Sequence, residues 1–71
     1  MTIMNALNQI ISKQEPGICW KKILEIEMSL VAIKKLMYIY SEYGIRVYIW
    51  NVEGKEPENL YEEIHVKIYY K

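Results

Sequence analysis

Hydrophobic positions along the chain fall into two rhythms, and the change from one to the other organises the reading. Near the start, Ile3, Met4, Leu7, Ile10 and Ile11 recur at helical spacing, with Asn5, Asn8, Gln9 and Lys13 on the other side. The spacing predicts a short amphipathic helix over residues 2–13, with Thr2 placed to cap it. Gln14-Glu15-Pro16-Gly17 then breaks the helix, because proline cannot continue the hydrogen-bond ladder and glycine frees the backbone to turn.

Between Ile18 and Tyr43 there is neither proline nor glycine. Ile23, Ile26, Leu30, Ile33, Met37 and Tyr40 recur there at alternating steps of three and four, a heptad-like seam that predicts a long second helix and offers a dimer contact. Trp20, Leu24, Val31 and Tyr38 widen the apolar surface beyond a narrow stripe, so this helix needs cover on more than one side. Its length poses a geometric problem. Two dozen helical residues extend about 35 Å, whereas a compact domain of this size is only about 28 Å across. Either the helix projects and pairs with a second copy, or it breaks near Ser29, the one residue in its middle that commonly serves as an N-cap.

Gly44 stands where a helix stop belongs, and the period then becomes two. Ile45, Val47 and Ile49 alternate with Arg46, Tyr48 and Trp50; Ile64, Val66, Ile68 and Tyr70 alternate with Glu63, His65, Lys67 and Tyr69. Asn51 to Asn59, with Gly54, Pro57 and three glutamates, reads as the connecting loop. The expected architecture is one small α+β domain: short N-terminal helix, long second helix, and a C-terminal two-stranded antiparallel hairpin packed on the long helix.

The composition is that of a folded chain with no global electrostatic bias. In 71 residues, 52% are hydrophobic and 25% charged, and nine basic residues balance nine acidic ones. Nothing global pulls such a chain toward nucleic acid or anionic lipid, so any such binding must be local. With one cysteine there is no intramolecular disulfide, and with His65 the only histidine there is no four-ligand Cys/His zinc set, which suggests a reducing compartment. No signal-like run follows Met1, and no apolar stretch reaches the roughly 18 residues that span a bilayer. The reading is cytoplasmic, without membrane association.

Chemistry-bearing residues are sparse. All nine acids are glutamate, no glycine-rich phosphate loop is present, and Cys19 reads as a small buried hydrophobe rather than a nucleophile with His65 as base. Glu63 and His65 share a strand face but supply too few ligands for a metal. We therefore expect no enzymatic activity and no cofactor. If the aliphatic faces of both strands pack on the helices, the other face displays Arg46, Tyr48, Trp50, His65, Lys67 and Tyr69, an aromatic and mildly basic surface suited to recognition. Eight of the nine aromatic residues lie beyond residue 35, which concentrates that potential in the C-terminal half. Glu53, Glu56, Glu58, Glu62 and Glu63 crowd the adjoining loop and oppose phosphate, so the expected partner is another protein, bound by a small regulator, adaptor or inhibitor that is itself a homodimer.

With a break at Ser29, the series Ser29, Ile33, Leu36, Tyr40, Gly44 and Ile45 resembles the recognition helix of a winged helix-turn-helix domain, the hairpin standing for its wing. The resemblance implies a preceding helix around residues 23–28, DNA contacts from Lys34, Lys35 and Tyr38, and a transcriptional regulator as the alternative function. It departs from that family at Glu27, where the turn normally holds glycine, and at Leu30 and Val31 in groove-facing positions.

Overall fold

Ser29 ends one kind of structure and begins another. The computed structural model describes residues 3–71, in the order α1 (Ile3–Asn8), β1 (Ile11–Ser12), β2 (Lys21–Met28), α2 (Leu30–Glu42), β3 (Val47–Asn51) and β4 (Ile64–Tyr70). Thr2, expected to cap the first helix, lies outside the described residues. The Ser29 backbone is extended and its Oγ accepts from the Ala32 N–H at 3.3 Å, which starts α2 one residue later. At the other end Gly44, with φ of +69°, takes the left-handed conformation that closes the helix.

The α+β class holds, but the long helix over 18–43 does not: its first part is the strand β2. There Leu24, Ile26 and Met28 alternate with Glu25 and Glu27, and the extended chain brings the glutamates opposite Lys67 and His65 of β4. A helix would have spread those five side chains around its circumference. The expected dimer seam is dispersed accordingly. Ile23 and Ile26 belong to β2, Leu30 and Ile33 are wholly buried in the core, and Met37 and Tyr40 are half-buried on α2. The length problem disappears with it, since thirteen residues extend about 20 Å in a molecule of 31 × 26 × 20 Å. The winged-helix arrangement fails at the same place, because a strand occupies the position of its preceding helix.

The sheet has four strands, not two, in the order β1-β3-β4-β2, with β1 parallel to β3 and both other pairs antiparallel. The expected hairpin is its centre. From β2 the chain crosses through α2 to β3, leaving a gap that β4 fills, a split β-α-β unit. The first helix stops at Asn8 rather than Lys13, because Ile11 pairs with Ile49 and completes an apolar row, Ile11–Ile49–Ile68–Leu24, across all four strands. Both helices cover that side. Leu7, Leu30 and Ile33 close with Ile49, Ile64, Val66 and Ile68 to form the core. At the outer edge, β2 carries a bulge between Lys22 and Leu24 and the charged residues Lys21, Lys22, Glu25 and Glu27, devices that discourage edge-to-edge association.

Candidate functional site

Opposite the helices the sheet presents a second four-wide row, Ser12–Trp50–Lys67–Glu25, flanked by Tyr48–Tyr69–Lys22 on one side and His65–Glu27 on the other. With both helices on one side, this mixed sheet packs one face and leaves the other to solvent. Of the six expected interface residues, Tyr48, Trp50, His65, Lys67 and Tyr69 sit on this side, in two groups, and Arg46 precedes β3.

Tyr48 and Tyr69 are taken up by the protein itself. The Tyr48 hydroxyl hydrogen-bonds Ser12 Oγ and donates to the Gln14 carbonyl at 2.8 Å, while the Trp20 ring packs on Tyr48 with centroids 5.3 Å apart. Lys71 Nζ lies 5.5 Å from the centre of the Trp20 ring, and Tyr69 keeps only 9% of its surface exposed. Burial pushes the Tyr69 phenol above its ordinary pKa. Trp20 thus serves as an internal lid over one end of the face. Cys19, expected to be buried, is exposed at the preceding turn, where the Trp20 N–H bonds the Gly17 carbonyl and turns the indole inward instead.

Trp50, His65 and Lys67 are half-buried on this side, with exposed Arg46 at the margin. Lys67 Nζ sits 5.2 Å from the Trp50 ring centre, a cation–aromatic contact between the two central strands. His65 lies between two carboxylates of β2: Nε2 is 2.6 Å from Glu25 and Nδ1 2.8 Å from Glu27. A neutral imidazole donates only one hydrogen bond, so this arrangement is best satisfied by the imidazolium. The hydrogen bonds to Glu27 and then Glu25 accordingly raise the His65 pKa above its usual 6.5. His65 in turn lowers that of Glu25, helped by Lys22 at 3.3 Å and Lys67 at 3.8 Å.

The His65 ring is held on both sides by its own chain. Both His65 nitrogens are engaged by glutamates, leaving neither for Cys19, and no group of three or more His, Cys or Glu among the described residues could hold a metal ion. The adjoining loop is partly neutralised: Lys13 pairs with Glu56 at 2.6 Å and Lys55 with Glu62 at 3.0 Å. Glu62 also accepts from the Glu58 N–H, the main reason its pKa falls. Lys34, Lys35 and Tyr38, the DNA contacts implied by the winged-helix resemblance, lie on the exposed side of α2, away from the sheet face.

The residues missed in the sequence were Trp20, Glu25 and Glu27. The signal for the two glutamates was the period-two run Leu24, Glu25, Ile26, Glu27, Met28, absorbed into the heptad reading. No family model, characterised protein or solved structure matches the chain. No helix of the described residues is long and apolar enough to cross a membrane.

Proposed function

We propose that the protein is a small non-enzymatic interaction module, a cytoplasmic regulator, adaptor or inhibitor that binds a larger protein across the open side of its sheet. The observation that carries this reading is the half-exposed strip Trp50, Lys67 and His65 on the two central strands, bordered by Glu25 and Glu27. A large aromatic ring supplies contact area at low entropic loss, and flanking charges of both signs give orientation and specificity. The same alternation argues for protein over nucleic acid. Phosphate would meet two carboxylates beside the lysine, whereas a protein surface can match both signs.

The test is to install a photo-crosslinking phenylalanine analogue at position 50, and separately at solvent-exposed position 53, in the native host. Protein adducts from position 50 and not from 53 are expected. Adducts to nucleic acid alone from position 50 would overturn the reading. In binding assays with the captured partner, Trp50→Ala with Lys67→Ala should abolish affinity while circular dichroism stays unchanged.

A further inference from the structure

The helical side carries a second surface, independent of the sheet face. Tyr38 on α2 is 68% exposed and forms a ridge with apolar grooves on both sides. One groove, of about 520 Å³, runs between the helices over Ile3, Val31, Ile39 and Leu60; another, of about 410 Å³, continues past Ile39 to Glu42 and Tyr43. Ile3, Tyr38, Ile39 and Tyr43 each leave more than half their surface in water. Together they offer on the order of 500 Å² of apolar side chain, a large share of the roughly 800 Å² per partner in a standard interface.

The charges on this patch are arranged for a partner of the same kind. Val31, Lys35, Tyr38 and Glu42 follow one another at steps of four, three and four, so they form a single stripe along α2. Lys35 and Glu42 stand symmetrically about the midpoint between Tyr38 and Ile39, three and a half positions to each side. Both are exposed, and neither forms an ion pair among the described residues, unlike Lys22, Glu25 and Glu27 of β2. An antiparallel pairing of two α2 helices about that midpoint sets Lys35 of each copy opposite Glu42 of the other and lays each Tyr38 ridge into the facing groove. A two-fold interface must be self-complementary, and this stripe is.

We propose that the α2 surface is the contact between two copies of this chain, leaving both sheet faces outward for partners. The experiment is sedimentation equilibrium from 1 to 300 µM on the wild type, Lys35→Glu, Glu42→Lys and the double variant. Each single change sets like charges together at two symmetry-related places, so it should weaken dimerisation at least tenfold. The double change restores opposite charges and should return the dissociation constant to within about threefold of wild type. Glu42→Lys puts a cation at the helix C-terminus, where it favours the fold, so lost association cannot be laid to unfolding; circular dichroism of each variant checks this. A wild type that stays monomeric, single changes without effect, or a double variant no better than the singles would each overturn the proposal. So would a monomer that sediments with vesicles containing phosphatidylserine, which would give the patch to a membrane surface.

Discussion

Ile26 and Ile33 are seven residues apart, so in one continuous helix they would be equivalent positions on one seam. In the folded chain Ile33 is wholly buried beneath α2, whereas Ile26, on the edge strand, keeps 47% of its surface exposed. Replacing each by alanine therefore separates the two architectures. Isoleucine to alanine removes three carbons, about 2.4 kcal/mol of transfer free energy at ~0.8 kcal/mol each. Ile33 is enclosed by Leu30, Ile49, Ile64, Val66 and Ile68, so an unfilled cavity adds to this and brings Ile33→Ala to about 3–4 kcal/mol. The better helix propensity of alanine recovers only a few tenths. At Ile26 half the transfer effect is already absent and water fills the space, leaving about 1 kcal/mol. Total stability for this length is of order 4–11 kcal/mol, so Ile33→Ala should lower Tm by roughly 15–25 °C and Ile26→Ala by about 4–8 °C. Thermal melts and urea titrations followed by circular dichroism measure both losses. Equal losses at the two positions would refute the strand assignment and the core derived from it.

The His65 cluster gives a pH signature. His65 titrates above 6.5 in the folded protein, so its contribution is complete below 6.5 and is lost as pH rises through that raised value; Glu25, lowered from 4.5, contributes fully above 4.5 and loses its effect as pH falls through its folded value. The Tm advantage of wild type over His65→Gln should therefore be greatest between about pH 4.5 and 6.5 and shrink toward pH 8; an advantage that grows with pH contradicts the clamp. Ser29→Ala removes the cap of α2 and should lose about 1 kcal/mol in urea titrations, with Ser29→Asp close to neutral. Asn51 is nearly buried, and its amide donates to the Lys55 carbonyl at 2.8 Å and accepts from the Gly54 N–H at 3.1 Å. Asn51→Ala should destabilise by about 1–3 kcal/mol and speed amide exchange in the 52–56 loop, while exchange in α2 keeps its rank order.

The parts of the fold that could be read in the sequence are those where one period stands alone. Val47 to Trp50 and Ile64 to Tyr70 alternate without competing helical spacing, and Gly44 marks the boundary before them. β2 was hidden because its bulge at Ile23 shifts the alternation by one residue, leaving Ile23, Ile26 and Leu30 at helical steps. Lysine, glutamate, leucine and methionine in the same stretch are good helix formers, so local propensity pointed the wrong way until β4 supplied an edge to pair with. β1 is two residues long, too short for any periodic signal, and exists only because β3 has an open edge. On the open side of the sheet, alternation put Trp50, His65 and Lys67 together, and the strand register does the same. It could not show that Trp20, nearly thirty residues earlier, folds over Tyr48 and withdraws that tyrosine from the surface.

If a protein partner uses the open sheet face, capture from native-host lysate should retain it. Tagged wild type and Trp50→Ala would be compared with and without nuclease, with mass spectrometry and quantitation of what each retains. The expected result is a protein held in stoichiometric amount by the wild type, resistant to nuclease and lost in the folded Trp50→Ala variant. Retention of nucleic acid alone, or a partner held equally well by both proteins, would contradict it.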